Sequence, residues 1–278
     1  MEINWFPGHM AKSAREIESN LKAADCVVYV LDSRAVKSCF NPTFDRMISL
    51  PTVYVINKVD TVTKEVADSW VKALSTDGNI AVAVEGTGSA CRKKLLAAIK
   101  TACADTLAKQ RKRGINEHVR AVVLGVPNTG KSTVINSLCG KARLVTGDRA
   151  GVTRAAKWAR VDETLDVLDT AGTLYPKITD RRVGENLAII GSIKDEVLDV
   201  TELACALISR LNDIDESILS ARFGRSISPQ TGLEEIAAAR GYRIRGGEYD
   251  TDRAAAALID DFRKGRLGKI ALETAYER

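Results

Sequence analysis

Two apolar periods alternate along the first half of the chain. Short β-branched runs at 26–32 (CVVYVLD), 52–57 (TVYVIN), 79–84 (NIAVAV) and 119–125 (VRAVVLG) lack polar alternation, which predicts strands buried on both faces. Between them the apolar positions recur at helical spacing. Met10, Ala14, Ile17 and Leu21 share one face of MAKSAREIESNLKAA, and Val66, Trp70 and Leu74 share one face of TKEVADSWVKALS. Strands alternating with helices imply a mostly parallel sheet covered on both sides.

Further along, KWARVD and TLDVLD are separated by polar residues at 162–164 and predict a hairpin that feeds a central strand. From residue 178 the character changes. DEVLDVTELACALISRL, GLEEIAAARGYRI and DRAAAALIDDFRKGRLG have helical period, are rich in Ala and contain no convincing strand. The expected division is an α/β domain over 1–177 and a small all-helical domain over 178–278.

Composition adds limits rather than detail. At 278 residues, 45% hydrophobic and 28% charged, the chain can bury two cores and stay soluble. No apolar run approaches ~20 residues, and the start MEINWFPGHMAKSAREIE carries early polar and acidic groups. Neither a membrane span nor a cleavable signal is expected, and the location expected is cytoplasmic. Six cysteines without a C-x-x-C pair, and only two histidines, His9 and His118, point to free buried thiols rather than zinc. The net charge is +5, with the positive excess inside residues 1–173 and a slight negative balance after it. That excess concentrates in CRKKLLAAIK and AKQRKRG, which could face a phosphate backbone or merely solvate a helix.

Three motifs at strand ends carry chemistry. GVPNTGKST (125–133) follows one strand pattern and opens a helix pattern, the context of a phosphate-binding loop. Gly125 and Gly130 permit the tight turn, and the N–H groups across Asn128, Thr129, Gly130, Lys131, Ser132 and Thr133 face the phosphates. Lys131 should reach the β- and γ-phosphates, and Ser132 should ligate Mg²⁺. In LDVLDTAG, Asp169 is placed to hold Mg²⁺ through water and the Gly172 N–H to contact the γ-phosphate. Between these motifs, GDRAGVTRAAKW contains Thr153, a candidate second hydroxyl for Mg²⁺ when triphosphate is bound.

The third motif, NKVD at 57–60, lies upstream of the phosphate loop instead of downstream. Asp60 can accept two hydrogen bonds from guanine's ring N–H and exocyclic amine, which adenine cannot offer in that arrangement. Asn57 can brace the loop, and the aliphatic stem of Lys58 can pack on the base plane. A site of this kind rejects the wrong base by a factor on the order of 10⁴. The substrate and product implied are GTP and GDP.

WFPGHMAK at 5–12, NKVD, GVPNTGKST, GDRAGVT, DTAGTLYPK and the closing RAAAALIDDFRKGRLGKIALE, in this order, resemble the circularly permuted GTPases of the YlqF type, the ribosome biogenesis GTPase A family. The resemblance spans essentially the whole chain. It implies a circularly permuted P-loop GTPase domain followed by the helical domain, the latter contacting ribosomal RNA; its RGYRIRGG and RKGRLGK clusters are compatible with that contact and equally with solvated helix ends. It also implies a factor in late maturation of the large (50S) ribosomal subunit, which binds with GTP, leaves after hydrolysis and is a monomer when free. The segment after NIAVAV matches the family's remaining base-contacting loop at Glu85 and Gly86; the usual Ser is Gly86 here, so only backbone contact carries over.

Catalysis is where the chain departs from its relatives. The position that follows D-T-A-G, a glutamine in ordinary signalling GTPases, is Thr173 here where the family commonly has an aliphatic residue. Ala171 and Ala150 stand where relatives usually show proline. The resemblance assigns water positioning to His9 of FPGH, although a histidine beside Trp5, Phe6 and Pro7 could equally anchor the amino terminus. Asn128 implies in addition a potassium ion near the β- and γ-phosphates, against the plainer role of stabilising the loop.

Overall fold

The computed structural model describes residues 8–76, 78–140, 157–174 and 178–276, with residues 8–14 and 157 described through their backbone only. Among the described residues six strands form one sheet: β1 (Cys26–Asp32), β2 (Thr52–Asn57), β3 (Ile80–Ala83), β4 (Val119–Leu124), β5 (Lys157–Arg160) and β6 (Leu165–Asp169). Their spatial order is β3-β2-β1-β4-β6-β5. Every neighbouring pair is parallel except β5 and β6, which form the expected hairpin.

Strand period 2 divides the core between the two faces of the sheet. Val27, Tyr29 and Leu31 of β1 point into one apolar cluster, and Cys26, Val28 and Val30 into the other. The second cluster is closed by α4 (Cys91–Ala102) and α6 (Lys131–Cys139), through Leu95, Ile99, Val134, Ile135 and Leu138. Full burial of each such side chain stabilises the fold by roughly 1.5–3 kcal/mol. The first cluster is covered by Ile17 and Leu21 of α1 (Gly8–Leu21) and Trp70 of α3 (Lys64–Leu74). A short α2 (Pro42–Met47) and a second basic helix, α5 (Ala104–Lys112), complete the helices of residues 8–140.

The segment after residue 178 is helical: α7 (Arg181–Ile189), α8 (Val200–Ile214), α9 (Ser217–Phe223), α10 (Gly232–Arg240) and α11 (Thr251–Arg263). Its N-termini are fixed locally. Asp180, Asp199 and Asp250 each accept hydrogen bonds from backbone N–H groups of the first turn that follows. Leu203, Leu207 and Leu211 of α8 meet Leu258, Ile259 and Phe262 of α11, in an apolar cluster that continues without a break to Leu31, Val126 and Leu174 beside the sheet.

Two local expectations fail, and a third reading is narrowed. In β3 only Ala81 is fully buried, because this strand is the sheet edge and has one neighbour. Cys205 is exposed while the other five thiols are buried, since it lies on α8 away from the Leu203–Leu207–Leu211 stripe. The arginines of RKGRLGK are not free: Arg263 pairs with Asp195 at 2.7 Å, and Arg266 with Asp261 at 3.1 Å. No helix among the described residues is long and apolar enough to cross a membrane.

Candidate active site

From β1 the chain steps outward to β2 and β3, then returns to the other side of β1 with β4. The β1/β4 boundary is therefore where strand order reverses, and the carboxyl ends flanking it open a crevice. The motifs sit at those ends: residues 57–60 after β2, Glu85 and Gly86 after β3, 125–133 after β4, and Asp169 at the end of β6.

The loop between β4 and α6 is held tightly against β1. Gly125 has φ +149°, and a Cβ there would lie 2.4 Å from the Val30 carbonyl oxygen. Gly130 has φ +92°, and a Cβ there would lie 2.3 Å from Asn57 Nδ2, so no larger residue fits without displacing the amide. α6 opens at Lys131 with no side-chain cap, which leaves its first N–H groups directed into the loop. Thr129 is buried, and its hydroxyl donates to the Val126 oxygen at 3.1 Å.

Lys131 folds back within this loop. Its Nζ donates to the Val126 oxygen at 2.9 Å, and only 6% of the residue is exposed. Burial pulls its pKa down to about 8, against an opposing pull from Asp169. A Cβ at Gly172 would stand 2.8 Å from Lys131 Nζ and 2.7 Å from Pro127 Cα, so the D-T-A-G turn is packed on the phosphate loop. Ser132 Oγ donates to Asp169 Oδ2 at 3.0 Å. A hydroxyl and a carboxylate converging in this way are the oxygen donors that a hard divalent cation takes, so the residues present fit Mg²⁺.

Asn57 ties three loops together. Its Nδ2 donates to the Thr129 oxygen at 2.8 Å, and its Oδ1 accepts from the Gly86 N–H at 2.9 Å. Lys58 stands in the left-handed region at φ +60°, and its Nζ donates to the Asn128 oxygen at 2.7 Å. Asp60 is exposed in the 3₁₀ turn that follows, Val59–Thr61. Glu85 is exposed and Gly86 buried; a Cβ at Gly86 would lie 3.3 Å from the Thr133 methyl, so these two residues face each other.

The structure brings Asn57, Lys58, Gly86, Asn128, Thr129, Gly130, Lys131, Ser132, Thr133, Asp169 and Gly172 around one crevice, with Asp60 and Glu85 on its rim. His9 lies in the first turn of α1, with its side chain outside the described residues, as are Thr153 and Ala150. Thr173 is 2% exposed, and its hydroxyl donates to the Ala171 oxygen at 3.1 Å.

Two participants escaped the motif reading. Asp32, fully buried at the end of β1, pairs with Lys58 at 2.9 Å and Arg34 at 2.7 Å. The signal was an acid closing an otherwise apolar strand. Ser192, just after α7, donates from Oγ to the Pro127 oxygen at 2.7 Å, and a Cβ at Gly191 would lie 2.9 Å from Asn128 Nδ2. Nothing local in the sequence marks that contact.

Comparison with known proteins agrees with this geometry. A family model described as 50S ribosome-binding GTPase matches residues 120–227. Ribosome biogenesis GTPase A of Bacillus cereus is 34% identical over 282 residues, covering 100% of this chain and 95% of the relative. The protein of that name from Priestia megaterium is 33% identical, over 100% of this chain and 98% of its own length. A GDP-bound YlqF structure superposes with a TM-score of 0.67 at 25% identity, covering 95% of this chain and 100% of the other. GNP-bound YlqF from T. maritima shares the fold with a TM-score of 0.66 at 24% identity, over 96% and 100% of the two chains. Likeness sustained over the whole length of such relatives leaves one assignment: the chain is a GTPase and belongs to the ribosome biogenesis GTPase A family.

Proposed function

We propose that this GTPase is an assembly factor for the large (50S) ribosomal subunit, binding it in the GTP state and leaving when GTP is hydrolysed. One observation carries the coupling between nucleotide and partner. The phosphate loop is bonded directly to the helical segment through Ser192 and Pro127, so a change of loop conformation is felt where no nucleotide reaches. The ribosomal client is supported by the names of the relatives and of the family model.

In this reading Asp60 selects guanine, the Lys58 stem lies along the base, and Glu85 and Gly86 close the base pocket with backbone contacts. Lys131 exchanges the Val126 oxygen for the β- and γ-phosphates, which also receive the N–H groups from Asn128 to Thr133 and that of Gly172. Ser132, Asp169 and Thr153 would hold Mg²⁺, which supplies positive charge to the phosphates. His9 orients the attacking water; Thr173, facing its own backbone, does not. Asn128 would hold a potassium ion, which would add positive charge near the β- and γ-phosphates.

The protein acts in the cytoplasm and is monomeric when free. Residues 178–278 form the unit that touches ribosomal RNA and proteins. Internal ion pairs weaken the field that RKGRLGK can offer to phosphate, so the exposed cations of α4 and α5 carry more of that attraction. Co-sedimentation with large subunits tests the proposal. Binding with a non-hydrolysable GTP analogue and release with GDP is the expected result. Failure to co-sediment in either state at low salt would refute the ribosomal reading and favour a regulatory GTPase with protein partners.

A further inference from the structure

The carboxylate of Asp32 belongs to none of the nucleotide motifs, yet it is fully buried at the carboxyl end of the strand beside β2 and β4. Its Oδ1 accepts from the Arg34 N–H at 3.1 Å and from Arg34 Nε at 2.9 Å. Its Oδ2 accepts from Arg34 at 2.7 Å and pairs with Lys58 Nζ at 2.9 Å. Burial alone would push its pKa up, and the charges of Arg34 and Lys58 override that, holding it well below the usual carboxylate range. Asp32 is therefore an anion in the apo protein, fixed from one side by Arg34.

Arg34 is itself immobilised. Its guanidinium donates to the Arg263 oxygen at 3.1 Å and to the Phe262 oxygen at 3.4 Å, at the C-terminus of α11, and it lies 5.3 Å from the Phe262 ring centroid. The other end of the chain of contacts is Lys58, whose backbone stands in the left-handed region at φ +60°, which a side-chain-bearing residue rarely adopts. Such a conformation persists where surroundings over-determine it. Here the ammonium is held at two points, Asp32 and the Asn128 oxygen.

We propose that Asp32 is a positioning residue for guanine-nucleotide binding: it anchors the Lys58 ammonium so that the lysine stem is preset against the base while bridging to the phosphate loop. The inference rests on the reading of Lys58 as a base-contacting residue. An anchor of this kind removes rotamer entropy from a long side chain before the nucleotide arrives, and so contributes to affinity without touching the ligand.

A double-mutant cycle on the full-length protein tests it, using Asp32→Asn, Lys58→Met and the pair, with labelled GDP and GTP titrated by fluorescence and melting temperature recorded alongside. Asp32→Asn should weaken both nucleotides by about tenfold, and should add no further loss once Lys58 is Met. If Lys58→Met, which keeps an apolar stem but no ammonium, leaves affinity unchanged, the anchor contributes nothing and the inference falls; if Lys58→Ala also leaves it unchanged, the base-contact reading fails with it. If Lys58→Met weakens binding but Asp32→Asn does not, or the two losses multiply, Asp32 does not act through Lys58 and only the inference falls. Asp32→Glu keeps the charge for Arg34 but displaces it from Lys58, and covers the case in which Asp32→Asn does not fold. It should melt near wild type with weakened GDP binding that is again lost as an effect in Lys58→Met; wild-type binding would overturn the proposal.

Discussion

Asn57→Ala is the substitution for which the structure makes the sharpest demand. The amide is 2% exposed and sits between two backbone groups, the Thr129 oxygen at 2.8 Å and the Gly86 N–H at 2.9 Å. Truncation leaves both without that partner in a site where Thr129 and Gly86 are buried. Each such loss costs ~1–3 kcal/mol, so about 2–6 kcal/mol is at stake. The strands keep their ladder bonds and apolar faces, so the cost falls on the order of the loops after β2, β3 and β4. Those are the loops a nucleotide needs ordered. At the lower bound, GDP affinity should fall about 30-fold.

Titration with a fluorescent GDP, together with a far-UV melt, reads both parts. Asn57→Asp is the control. It keeps an oxygen for the Gly86 N–H but sets a second one against the Thr129 oxygen and buries a charge, so it should bind no better than Asn57→Ala. Affinity within threefold of wild type for Asn57→Ala would refute the argument that one amide organises three loops. Recovery in Asn57→Asp would refute the part assigned to Thr129.

Five further outcomes are expected. Lys131, with its pKa near 8 in the apo protein, should take up a proton when phosphates bind, so above pH ~8 GDP affinity should fall with rising pH; calorimetry in buffers of different ionisation enthalpy should show uptake that vanishes in Lys131→Met. The same shift makes the buried ammonium a cost to the apo fold below its folded pKa, relieved as pH rises from about 8 to the unfolded value of 10.5, which denaturant melts in that window should detect. Glu273→Ala removes the acceptor for the Ser38 N–H at 3.0 Å and Asn186 Nδ2 at 2.8 Å in a buried position, and should lower stability by ~2–4 kcal/mol in urea unfolding. His9→Ala should keep nucleotide affinity and lose most turnover, and hydrolysis should be faster in K⁺ than in Na⁺; unchanged turnover, or equal rates in the two salts, would count against each role.

What the sequence revealed, and what it hid, follows from the range of the forces involved. The central strands were legible because burial on both faces demands unbroken β-branched runs, as in CVVYVLD, where all seven positions are buried. The phosphate loop was legible because tight turns restrict residue type, and Gly130 shows the restriction physically. Contacts set by tertiary packing left no such trace. Arg34 finds the Phe262 and Arg263 oxygens 228 and 229 residues away, and Ser192 finds Pro127 across 65. The cations of RKGRLGK read as a surface cluster because their partners Asp195, Asp260 and Asp261 are acids that any helix end carries.

The displaced NKVD motif shows why chain order and site order are separable. Asn57 reaches Thr129 across 72 residues in one hydrogen bond, because β2 and β4 flank β1 and all three end on the same edge of the sheet. Only the connection has to change: α4 and α5 carry the chain from the β3 edge back to β4 on the far side of β1. That rearrangement puts the end of β6 immediately before the helical segment. The helical segment then meets the site at two further points, Ser192 on the phosphate loop and the α11 terminus on Arg34 beside Asp32. In the proposed reading, a GTPase wired in this way would transmit the state of its phosphates through packing at Pro127 and the state of its base pocket through an ion pair at Asp32. Salt should weaken neither route much, since Ser192 and Asp32 are both fully buried.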